Sequence, residues 1–180
     1  MATPTQQEIQ GFGELIEPFQ RNTRGKTMGK DLKDAHKINS IESGIGDKIH
    51  DAVNDGLPNH PTVKKFVTDE ILAQISRREL ANKKEYCFLW VLDQDGIKIL
   101  WENVENFLDV DREVKHTNIT AAGLAFHGGE LFVTEDNKIF VNNASDRYGD
   151  SERQNWNAVI AYFKTTYIEY QIIDLRPNDI

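Results

Sequence analysis

The sequence has one cysteine, Cys87, so no disulfide can form within the chain, and a small scaffold stapled by disulfides is excluded. It also lacks a long apolar run. No window approaches a membrane span, and the first residues have neither the basic start nor the apolar stretch of a signal peptide. Together with a lone cysteine in an apolar context, this leads us to expect a soluble protein of a reducing cytoplasm, or one delivered from it by a specialised secretion route. Positive charge is outnumbered as well, with 21 Lys and Arg against 29 Asp and Glu. A net charge of -8 argues against a protein that holds nucleic acid mainly by phosphate neutralisation, which needs clustered Lys and Arg.

What charge there is lies unevenly. Arg21, Arg24, Lys26, Lys30, Lys33 and Lys37 stand against Asp31 and Asp34, whereas residues 85–113 hold eight acids against Lys98 and Arg112. These are solvated faces of opposite sign on the plain reading. On the functional reading, the first is an arm for an anionic partner and the second a surface for a basic protein.

Apolar periodicity places helices first. Ile9, Phe12, Leu15, Ile16 and Phe19 suit a helix within residues 6–20, and a second helical stretch over 31–53 should break near Ser43, Gly44 and Gly46. Pro61 is well placed to start a third, running to about residue 82. The pattern then becomes strand-like. Residues 86–92 and 97–101 read as a hairpin around Asp93-Gln94-Asp95-Gly96, 114–120 alternate like a strand, and 131–134 with 138–142 form a second hairpin. A helix capped by Asp150 or Ser151 and reaching residue 164, then a strand over 168–175, close the chain. The fold class expected is α+β: N-terminal helices followed by a mainly antiparallel sheet of about five to six strands, with one late helix packed on it. The order suggests a helical region, 1–83, and an α+β domain, 84–180, or one continuous domain.

Residues 114–148 concentrate the groups able to do chemistry. His116 and His127 are candidate acid and base, since imidazole titrates near neutrality. Gly128 and Gly129 allow close backbone approach and can present amides to an anion, with Glu130 as a base or as an acceptor orienting His127. Arg147 can fork onto a phosphate, Tyr148 can stack or donate, and Ser145 can cap a helix or donate to an anion. Thr117, Asn118 and Thr120 complete the candidate substrate-binding set. Each has a structural reading too: bonded histidines on a strand, a glycine bulge, a cap and a surface ion pair. Metal-ligand spacings such as His-x-x-x-His and Cys-x-x-Cys are missing, as are nucleophile-elbow, phosphate-loop and dinucleotide motifs, so neither a metal nor a cofactor is expected.

The runs 115–120, 128–132 and 145–149, followed by an aromatic-rich helix and a closing strand, resemble a bacterial toxin-like C-terminal domain. In outline the layout is also similar to the barnase and EndoU group of metal-independent ribonucleases. That resemblance implies a base that takes the 2'-hydroxyl proton, an acid that protonates the leaving oxygen and a cation that steadies the phosphorane, at His116, His127 or Glu130, and Arg147. The acidic net charge departs from that group, and no lysine completes the site. Two functions are therefore expected. One is a bacterial effector or toxin-type enzyme acting on RNA or a nucleotide without a metal, and the other is a non-catalytic acidic module, such as an inhibitor, immunity protein or adaptor, engaging a basic protein partner.

Overall fold

The run Phe88-Leu-Trp-Val-Leu-Asp has apolar side chains at consecutive positions, so a strand made from it must be covered on both faces. In the computed structural model this run, β2 (Phe88–Asp93), lies at the centre of a six-stranded sheet and is buried along all but its last residue. The structure describes residues 3–20, 26–57, 68–74, 79, 86–102, 114–134, 136–149 and 155–175. The elements in chain order are α1 (Gln6–Phe12), α2 (Lys30–Glu42), a 3-10 turn (Ile45–Lys48), β1 (His50–Asp51), α3 (Asp69–Gln74), β2, β3 (Gly96–Trp101), α4 (His116–Thr120), β4 (His127–Val133), β5 (Lys138–Val141), α5 (Trp156–Thr166) and β6 (Gln171–Asp174).

The strand order is β1-β3-β2-β4-β5-β6. Every pair is antiparallel except β5 with β6, which are parallel and joined through α5, the long connection that a parallel pair requires. The expected α+β class, with its mainly antiparallel sheet and late helix, is observed. The first hairpin pairs Asp93 with Gly96 across Gln94-Asp95, and Gly96 adopts φ 121, which a residue with a Cβ rarely tolerates.

Two apolar layers sandwich the sheet. On one face Phe88, Trp90 and Leu92 meet Phe12 from α1 and Val159, Ile160 and Phe163 from α5. Phe163 stands edge-on to Trp90 at 5.0 Å between ring centroids, an arrangement worth about 0.5–1.5 kcal/mol beyond the area it buries. On the other face Leu89 and Val91 meet Ile45, Val114, Ile119 and Tyr148. The described part of the first 83 residues thus enters both layers, and β1 extends the sheet beside β3.

Several elements differ from the sequence reading. The first helix stops at Phe12 because Gly13 turns the chain with φ 93, and Ile16 and Phe19 go on to form bridges with Ala125 and Thr27. The alternating segment 114–120 is not a strand. Residues 116–120 form α4, whose start is held by Asn118 Oδ1 accepting the Lys115 N–H at 2.7 Å and whose end is turned by Ala121 and Ala122 in left-handed geometry. Four of its five residues are buried between the sheet and α2, and this tertiary packing outweighs the strand preference of Thr and Ile. Of the helix expected from Pro61 to residue 82, residues 69–74 and 79 are helical, while 61–67, 75–78 and 80–82 lie outside the described residues, as do Asp150 and Ser151.

Candidate functional site

Pairing decides which face each β4 residue occupies, since directly opposed residues project to the same side. His127 lies opposite Leu92 and Gly129 opposite Trp90, which puts them on the α1/α5 face. Gly128 lies opposite Val91 and Glu130 opposite Leu89, on the α4 face. A Cβ on Gly128 would sit 3.1 Å from Tyr148 Cβ, 3.3 Å from the His116 ring and 3.3 Å from Ser145 Oγ. His116, Gly128, Ser145 and Tyr148 therefore do gather, and they gather on the side of the sheet that His127 does not face.

Each of the gathered groups is tied inward. His116 is buried, and its Nε2–H donates to Gly129 O at 2.8 Å. Burial pulls its pKa from 6.5 down to about 4, against the Gly129 carbonyl and Asp146, which raise it, while Arg147 adds to the lowering. At neutral pH the ring is thus uncharged and already committed as a donor. Tyr148 is fully buried; its hydroxyl donates to Gly123 O at 2.7 Å and shares a second bond with Thr120 Oγ1 at 2.7 Å, and burial raises its pKa. Ser145 Oγ accepts the main-chain N–H groups of Arg147 and Tyr148, closing a local turn.

On the opposite face His127 is also buried, with Nε2–H donating to Phe12 O at 3.0 Å, where it ties the end of α1 to β4. Glu130 is therefore not the acceptor that orients it. Its carboxylate instead accepts the Cys87 thiol at 3.2 Å and the Asn142 amide at 3.3 Å. Arg147, 7 % exposed, donates from Nη1 to Phe19 O at 2.9 Å. Thr117 and Asn118 latch α4 to α2: Thr117 Oγ1 shares a hydrogen bond with His36 Nδ1 at 2.6 Å, and Asn118 Nδ2 donates to Ser40 Oγ at 3.0 Å. Gly128 and Gly129 provide close packing, since a Cβ on Gly129 would fall onto Asn142 O and lie 2.8 Å from the Trp90 ring.

Beside α4 is a cavity of about 330 Å³ lined in part by Ser40, Ile41, Ile45, Ile49, Asn118 and Ile119. Of the sequence-derived candidates, Asn118 reaches it and the two histidines do not.

A different grouping escaped the sequence reading. Cys87 just before β2, Glu102 just after β3 and Glu130 in β4 bring a thiol and two carboxylates within 4.8 Å of one another. Burial and the charges of Glu130 and Glu102 push the Cys87 thiol well above its ordinary pKa. Spacing scans look for ligands close in sequence, and these three meet only through the pairing of β3, β2 and β4.

Of the acidic stretch 85–113, Asp93 pairs with Lys98 at 2.8 Å and Asp95 with the same lysine at 3.7 Å, and residues 85 and 103–113 lie outside the described residues. In the basic stretch, Lys30 pairs with Asp34 and Lys33 with Glu17, and residues 21–25 lie outside the described residues. Among the described residues no helix is long and apolar enough to cross a membrane. Comparison with known proteins gives no match: no family model, no curated protein and no solved structure aligns significantly with this chain.

Proposed function

We propose that the chain is a non-catalytic binding module, of the inhibitor, immunity-protein or adaptor kind, whose acidic stretch at residues 85–113 engages a basic protein partner. The observation that carries this reading is the pair of histidine bonds. His116 and His127 project to opposite faces of the sheet, and each spends its Nε2–H on a main-chain oxygen inside the protein. Metal-free cleavage of a phosphodiester asks for two proton-transferring groups that meet one substrate, with a cation beside them. Glu130, the alternative second group, shares the α4 face with His116, but its carboxylate accepts from Cys87 and Asn142 while Arg147 donates to Phe19 O, so the candidate catalytic set is used to join elements of the fold.

A reading based on charge predicts salt-sensitive association. The test compares the purified full chain with an Asp109→Lys/Asp111→Lys variant as immobilised bait. A basic protein retained by the first, lost by the second and released by raised salt is the expected result. Equal retention by both overturns it. So does cleavage of RNA or a nucleotide by the wild-type chain that disappears in His116→Ala.

A further inference from the structure

We propose that Cys87, Glu102 and Glu130 form a binding site for one thiophilic divalent cation, of which zinc is the natural representative. The three residues stand just before β2, just after β3 and within β4, and their ligand atoms lie within 4.8 Å of one another, so the pairing of these strands fixes their convergence. A tetrahedral zinc site, with Zn–S near 2.3 Å and Zn–O near 2.0–2.2 Å, places its ligand atoms roughly 3.5 Å apart. The Cys87 Sγ to Glu130 Oε2 separation of 3.2 Å already matches one edge of that tetrahedron. The other two separations are also within 4.8 Å, and the backbone of Glu102 is anchored by its N–H donating to Cys87 O at 3.0 Å.

The two oxygens of Glu130 have separate tasks. Oε1 accepts from Asn142 Nδ2, whose own Oδ1 accepts the Glu130 N–H at 2.9 Å, and Oε2 faces the thiol. This is how an outer amide orients a carboxylate ligand. The Trp90 indole N–H, bonded to Glu130 O and Asn142 O at 3.1 Å each, fixes both residues from the other face. Cys87 is fully buried, and Glu102 and Glu130 are half-buried beside it.

The donor set decides the class of ion. A thiolate favours zinc, cadmium or cobalt over magnesium and calcium, which prefer all-oxygen cages. Binding converts the thiol to thiolate with release of its proton to solvent, and the cation offsets the mutual repulsion of three negative groups in a partly buried place. Three protein ligands leave a fourth position for water.

The test uses the purified full chain, stripped with a chelator and titrated with Co²⁺, then Zn²⁺, with Mg²⁺ as the comparison. One Co²⁺ per chain with a sulfur-to-cobalt charge-transfer band, displacement by Zn²⁺ and indifference to Mg²⁺ are expected. Cys87→Ser should abolish the band, and Glu102→Gln and Glu130→Gln should each weaken binding by roughly tenfold or more. Should Cys87→Ser fail to fold, Glu102→Gln decides. Failure of the wild-type chain to take up stoichiometric cobalt or zinc overturns the proposal, as does a charge-transfer band unchanged in Cys87→Ser or an affinity unchanged in Glu102→Gln.

Discussion

Trp90 Nε1 stands 3.1 Å from the main-chain oxygen of Glu130, and the same N–H reaches Asn142 O at 3.1 Å, so one central indole ties β4 to the chain leaving β5. Phenylalanine at position 90 keeps most of the apolar packing against Phe163 and removes the donor. Asn142 O then loses a buried partner, at a cost of about 1–3 kcal/mol. Urea unfolding of Trp90→Phe should show that loss with an unchanged m value. A stability equal to wild type means that the shared bond contributes nothing.

Gly129 exists to let that indole and Asn142 approach. Gly129→Ala puts its Cβ onto Asn142 O and 2.8 Å from the Trp90 ring, in a position where backbone and a central core residue must both give way. Overpacking of this kind costs about 1–3 kcal/mol or more. Gly46→Ala makes the comparison, because beyond its chain neighbours nothing lies within 4 Å of its Cβ and its φ is outside the left-handed region. Thermal melting should separate the two variants by several degrees. Similar melting points would remove the packing account of the Gly-Gly pair.

His116 makes stability depend on pH in a defined window. Its folded pKa, about 4, lies below the ordinary 6.5, so between those values the unfolded chain binds a proton that the native chain refuses. Stability therefore rises with pH across the window, is fully present above about 6.5 and is lost as pH falls toward 4, by up to about 3 kcal/mol from this group. His116→Gln should flatten that part of the profile relative to wild type in urea titrations run from pH 7 to pH 4. Parallel profiles would mean that the imidazole titrates as if exposed.

The α+β class was legible because the change from 3.6-residue to two-residue periodicity at Tyr86 is large, and because β2 has no polar side until Asp93. Residues 116–120 were misread for a physical reason. Over so short a span the alternation of His116, Asn118 and Thr120 carries no information about the Asn118 cap or about α2, which covers this segment from 78 positions away through Ser40. His116, Gly128, Ser145 and Tyr148 stand out in the sequence as unusual residues of one stretch, but their gathering is seen only in the fold. Whether such a cluster faces water or a main-chain oxygen depends on strand register. One residue of register separates Gly128 from His127, and that step puts the two histidines on different faces.

Thr117 and Asn118 should behave as a latch between α2 and the sheet-packed α4. Thr117 is fully buried, so Thr117→Val keeps its shape and deprives His36 Nδ1 of a 2.6 Å partner, while Asn118→Ala removes both the Lys115 cap and the bond to Ser40. Each change should cost about 1–2 kcal/mol. Local opening of α2 gains from the same loss, and 1.4 kcal/mol corresponds to about a tenfold faster exchange of amides that open locally. Hydrogen exchange should therefore speed up in residues 33–42 of both variants and stay unchanged in β2 and β4. Ser40→Ala shares its partner with Asn118→Ala, so the two should combine to less than the sum of their separate effects. Additive losses, or faster exchange spread evenly over the sheet, would show that α2 is held by its apolar contacts and that the two polar bonds are incidental.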